Sequence, residues 1–203
     1  MDIDTNEQYL VYSTLSPVVQ LVDLETLSAK SERLVFSTNA NTADGWNGQS
    51  GGAIMSLKFS GDNKEIVAGT KRSEVLVYDL IANRVSTKVT SAHDDEINSV
   101  CFANRNASNI IFTGSDDSLV KVWDRRCLGA NNSAQGAFVG HAEGVTHVTS
   151  KLDGLLLASN GKDQLLKVWD IRRMVSSDQL SRVRLPRSTG CDYRWGSYPL
   201  LGK

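Results

Sequence analysis

The sixteen residues from Ile111 to Arg126 constrain this chain more than any others, because their ending returns. Trp123-Asp124-x-Arg126 reappears as Trp169-Asp170-x-Arg172, and Tyr78-Asp79 echoes it upstream. The spacings are 45 residues (78 to 123) and 46 (123 to 169). That is slightly over the length of one four-stranded blade, roughly 40–45 residues. A unit of this size cannot bury its apolar faces alone and must stack on its neighbours. The chain is therefore predicted to be all-β, a β-propeller, and propellers usually serve as binding platforms.

Each repeat predicts the same strand order. Ile97–Phe102 alternates apolar and polar residues, a polar turn spans 104–109, and Ile110–Ser115 reads as a second strand. Asp116–Ser118 turns the chain, and Leu119–Trp123 is the third. Ile54–Phe59, Glu65–Gly69 and Val75–Tyr78 match upstream; Val145–Val148, Leu155–Ala158 and Leu165–Trp169 match downstream. Tyr9–Tyr12 and Val18–Val22 are read as inner and middle strands of an earlier blade.

The resulting organisation is a partial blade over 1–38, a Gly- and Asn-rich loop over 39–52 and a degenerate repeat over 53–90. Two fuller repeats follow over 91–138 and 139–173, then an irregular tail over 174–203 carrying Arg182, Arg184, Arg187 and Arg194. Three to four blades is fewer than the seven usual in propellers of about 4–8 blades. An incomplete propeller with open edge strands is expected.

Composition excludes several classes. With 22 basic and 23 acidic side chains the net charge is −1, so nothing drives the chain as a whole to nucleic acid or to a membrane. Cys101, Cys127 and Cys191 are odd in number and form no C-x-x-C pair, so they read as reduced thiols of a cytosolic or nuclear protein. The acidic start lacks a signal peptide, and no apolar run approaches the ~20 residues of a membrane span. The expected location is nucleus and cytoplasm.

Apparent chemical motifs fail on spacing. Gly154 and Gly161-Lys162 enclose six residues where a phosphate loop has four, and Asp163 follows where Ser or Thr would hold magnesium. His141 and His147 have no acidic or Cys partner at metal-ligand spacing. Asp94-Asp95-Glu96 reads as a solvated loop able to attract a basic partner. His93, Ser115 and Asp117 imitate a catalytic triad. No catalytic, cofactor or metal residue is assigned.

The Trp-Asp repeats resemble the WD-repeat family, and that resemblance gives His93, Ser115 and Asp117 another role. In WD repeats a His before the first strand, a Ser or Thr, an Asp in the turn and the Trp hydrogen-bond in a row. His93, Ser115, Asp117 and Trp123 fall at the matching positions. In the next repeat His141, Asp163 and Trp169 are present, but Gly161 at the hydroxyl position implies an incomplete or water-bridged row. Tyr78 and Arg72 imply none in the earlier repeat.

Arg126 and Arg172 are not required by blade architecture, and a guanidinium fork suits carboxylate or carbonyl groups on a partner. Ile111 to Arg126 resembles the sixteen-residue "DWD box" of propellers that dock on damaged-DNA-binding protein 1, the adaptor of cullin-4 ubiquitin ligases. Leu157 to Arg172 matches less fully, at Ala158 and Asn160-Gly161, and Ile66 to Ile81 departs at Arg72 and Ile81. Over about residues 8–198, including Asp192-Tyr-Arg-Trp195, the chain is similar to the cullin-4-associated factor 11 (WD-repeat protein 23) type and its plant relatives. Relative to them it looks truncated at both ends.

The resemblance implies a non-catalytic substrate receptor without cofactor. Asp124, Arg126, Asp170 and Arg172 would grip the adaptor of the cullin-4 complex, and a protein substrate of unknown identity would bind elsewhere. A generic WD scaffold in another assembly, such as chromatin or RNA processing, shares the W-D-x-R pattern and stays open.

Overall fold

The computed structural model describes residues 1–14, 16–26, 31–36, 52–128 and 133–186. These form four antiparallel sheets, each a blade of a partial propeller. The first holds β1 (Asp2–Ile3), β2 (Tyr9–Ser13), β3 (Val18–Asp23) and β4 (Ser31–Val35). The second holds β5 (Ile54–Phe59), β6 (Glu65–Thr70), β7 (Val75–Asp79) and β8 (Arg84–Val89). The third holds β9 (Ile97–Phe102), β10 (Ile110–Ser115), β11 (Val120–Asp124) and β12 (Gly136–Phe138). The last holds β13 (Val145–Ser150), β14 (Leu156–Gly161) and β15 (Leu166–Asp170).

Two expectations need correction. Tyr9–Ser13 is the second strand of its blade, not the inner one: β1 lies inside it, and β5 packs on β1 and β2 as β9 packs on β5 and β6. Two residues were too short to read as a strand. The segment after 173 is also not wholly irregular. Val175–Ser176 forms β16, which pairs with the open edge of β12 at Ala137 and Gly136, and a four-residue helix α1 (Ser177–Leu180) follows. An unpaired edge offers backbone partners to any short extended segment within reach. The expectations for 39–51, Arg187, Cys191 and 192–195 fall outside the described residues.

Successive side chains of a strand point to opposite blade faces, and the continuous apolar runs of β6 and β10 supply both, so the core consists of three layers between four blades. Val11, Val19, Leu34, Leu57 and Ile66 lie in the first; Val67, Val77, Ile97, Val100 and Trp123 in the second; Phe112, Val120, Val122, Val145 and Val148 in the third. The inner strands β5, β9 and β13 each carry one bulged residue at the same place, Met55, Asn98 or Thr146, skipped in the ladder with its neighbour.

The outer face of the last blade has no layer among the described residues. Leu166 and Val168 are 72% and 67% exposed, whereas Val120 and Val122, their equivalents in the third blade, are 0% and 2%. Gly69 and Gly114 occupy the register position that the next blade crosses. A Cβ on Gly114 would stand 2.6 Å from Val145 Cγ1. Asn160 takes that position in the last blade and is exposed.

Candidate partner-docking face

A polar row runs through each of the two fuller repeats. Trp123 Nε1–H donates to Thr113 Oγ1 (2.9 Å), the Thr113 hydroxyl lies 2.7 Å from His93 Nε2, and His93 Nδ1 lies 2.7 Å from Asp117 Oδ2. The order of donors assigns His93 as the neutral Nδ1–H tautomer, and every member is then satisfied. The hydroxyl is Thr113, not Ser115. Ser115 Oγ instead donates to the Asp95 carbonyl and accepts from the Asp117 amide, tying down the turn.

The same shift overturns the expectation for the next repeat. Trp169 Nε1–H donates to Ser159 Oγ (2.7 Å), which meets His141 Nε2 at 2.8 Å, and His141 Nδ1 meets Asp163 at 2.9 Å. The row is complete, because Ser159 aligns with Thr113 and Gly161 merely aligns with Ser115. In the second blade Ala68 stands at the hydroxyl position, so no such row forms there; Tyr78 donates to Asn83 Oδ1 and stacks on Phe36.

Burial pushes the His93 and His141 pKa values below 6.5, outweighing the pull of Asp117 and Asp163 towards imidazolium. Burial raises Asp117, but its hydrogen bond and charge pairing with His93 and the Leu119 and Asp94 amides hold it below 3.8. Below pH 6.5 the unfolded chain therefore binds more protons than the native one, and stability falls as pH falls. The limiting slope is about 1.4 kcal/mol per pH unit for each histidine. Denaturant midpoints should be flat from pH 8 to 7 and drop between pH 6.5 and 5; a midpoint rising on acidification would contradict neutral histidines in both rows.

At the opposite end of the third strands, an aspartate caps the following turn in all four blades. Asp23 accepts from the amides of Glu25 and Thr26, and Asp79 from those of Ile81 and Ala82. Asp124 accepts from the Arg126 amide and Asp170 from the Arg172 amide, both at 3.0 Å. In the last two blades a guanidinium is added to this backbone cap. Arg126 donates from Nε (3.0 Å) and Nη2 (2.7 Å) to its own Asp124; Arg172 donates from Nε (2.9 Å) and Nη2 (2.6 Å) to Asp170.

The forks are thus not open, as the sequence alone suggested, but half engaged. Each arginine keeps its Nη1 donors turned away from the aspartate, and the side chains are 65% and 71% exposed. The pairing lowers the carboxyls, Asp170 to about 2, and raises both guanidiniums. An exposed ion pair adds little stability. Its effect is to fix the direction of the remaining donors.

Sequence reading missed Arg125. It forms a two-point ion pair with Glu65 of the preceding blade (2.6 and 2.8 Å), mostly buried, and reaches the Ser108 carbonyl. Sixty residues separate the partners, and Ile171 takes the equivalent place in the next repeat, so no local pattern marks it. Cys101 is buried, which pushes its thiol up to about 12, and Cys127 is exposed.

A family model described as the nucleolar protein 10-like N-terminal domain matches residues 1–137, and the WD domain, G-beta repeat, matches 132–170. The chain belongs to the WD-repeat β-propeller family. The LEC14B protein of Lithospermum erythrorhizon is 42% identical over 97% of this chain, and the LEC14B homolog of Prunus armeniaca 40% identical over 99%. The DDB1- and CUL4-associated factor 11 homolog of Caenorhabditis elegans is 41% identical over 72% of it. The chain spans 41%, 42% and 26% of the length of these relatives.

Proposed function

We propose that this WD-repeat chain is a receptor subunit of a cullin-4 ubiquitin ligase, docking on damaged-DNA-binding protein 1 through the Asp124–Arg126 and Asp170–Arg172 forks. One observation carries the reading. The aspartate cap recurs in four blades and suffices for the turn, while the guanidinium is added in only two, in the same geometry. Architecture explains the cap and leaves the arginines free for another role. Relatives about 40% identical and named as DDB1- and CUL4-associated factors support it.

The receptor performs no chemistry; it raises the local concentration of a protein substrate beside the ubiquitin-charged enzyme. Co-precipitation of tagged chain with the adaptor tests this. Arg126→Ala/Arg172→Ala is expected to stay folded, because both side chains are exposed, and to lose the adaptor. Retention of adaptor by the double variant would remove the forks from the interface. The match of residues 1–137 to a nucleolar protein 10-like domain favours a second reading, a scaffold in another nuclear assembly, which predicts partners indifferent to both arginines.

A further inference from the structure

Between the first and second blades lies a cavity of about 260 Å³ that neither the forks nor the polar rows use. Leu21, Leu34, Phe59 and Leu80 supply its apolar lining, and Asp4 and Glu32 supply carboxylates. Asn63 of the β5–β6 loop and Asn83 of the β7–β8 turn also line it, which sets it at the fork-bearing end of the blades.

The charges are unbalanced. Asp4 is 4% exposed and accepts from three neutral donors, the amides of Gln8 and Tyr9 (2.7 and 2.8 Å) and Asn63 Nδ2 (3.0 Å). Neither Asp4 nor Glu32 forms an ion pair among the described residues, whereas Asp2, Glu65, Asp116 and Asp124 each do. Glu32 is also close enough to add its charge to burial in raising the Tyr78 phenol. Asp4 is held away from water by neutral donors alone and Glu32 stands exposed at the rim, so a cation entering the cavity would meet two carboxylates that no described residue neutralises.

We propose that this cavity takes a lysine or arginine side chain from an extended segment of a partner protein. The methylene stem suits the apolar lining while the cationic head meets the carboxylates. The volume lies below the ~300–1,000 Å³ of small-molecule sites, which suits one side chain and its neighbour rather than a cofactor. The site goes beyond the receptor reading and does not depend on it, because the forks lie on other blades.

The test is a methyl NMR titration of the 203-residue chain with the blocked tripeptides acetyl-Leu-Xaa-Leu-amide, where Xaa is Arg, Lys, Ala or Glu. The Arg and Lys peptides are expected to shift the methyls of Leu21, Leu34 and Leu80, with affinity falling as salt is raised. Glu32→Gln, at an exposed position on β4, should weaken them about fivefold. The proposal is overturned by unmoved methyls, by an Ala peptide that binds equally well, or by binding that ignores Glu32→Gln. Adaptor co-precipitation with Glu32→Gln keeps the two readings separate: its loss of peptide with retained adaptor supports an independent site, and failure of the forks alone leaves the cavity standing.

Discussion

Thr113→Val is expected to destabilise the chain by about 3 kcal/mol, and Ser115→Ala by about 1. The valine keeps the volume and the strand preference but removes the oxygen that accepts from Trp123 Nε1 and donates to His93 Nε2. Two buried polar groups lose their partners together, each at a cost of about 1–3 kcal/mol. Thr113 is 0% exposed, so water cannot replace the hydroxyl without opening the blade. Ser115 holds only a turn, whose Asp117 also accepts from the Leu119 amide. Urea melts of the two variants decide the matter: a larger loss for Ser115→Ala would return the relay to Ser115. Ser159→Ala should behave like Thr113→Val at smaller magnitude, because Trp169 is only partly buried at the open end.

Gly114→Val is expected to cost about 3 kcal/mol, near the upper end for overpacking a core. The added Cβ would lie 2.6 Å from Val145 Cγ1 and 2.8 Å from Val148 Cγ1. Both are fully buried valines of the next blade's inner strand, with stiff β-branched rotamers that cannot swing clear. Asn160→Val at the matching position of the last blade should change stability by less than about 0.5 kcal/mol, because nothing packs there among the described residues. Thermal melts of the pair test whether close approach of blades, rather than strand propensity, selects glycine. Equal losses would mean that the glycine serves only its own strand.

The blade order was legible because it depends on local signals. A 45- or 46-residue period, alternation of apolar residues and a Trp-Asp ending are properties of neighbouring positions, and they suffice to place the three inner strands of each repeat and the turns between them, but not the outermost strands β4, β8 and β12 or the short β1. The pairing of Asp124 with Arg126, two residues apart, is equally local yet reads in the sequence as a fork open to a partner, because nothing in the pattern shows that the Asp caps its own turn and draws the guanidinium back.

The hydroxyl of the relay was not legible. Thr113 and Ser115 lie two apart and point to the same side of β10, so alternation cannot choose between them. The choice shows only in three dimensions, where His93 Nε2 meets Thr113 Oγ1 and Ser115, beyond the register shift at Gly114, turns to the Asp95 carbonyl and the Asp117 amide. The ion pair of Arg125 with Glu65 and the unbalanced carboxylates of Asp4 and Glu32 belong to the same class. Each joins segments of different strands whose distance is set by how blades stack. The sequence by itself determined that this protein is built of repeated blades, since each blade's pattern is written within its own residues. Only the tertiary structure decided which polar groups meet, since those contacts depend on bulges and on the separation of neighbouring sheets.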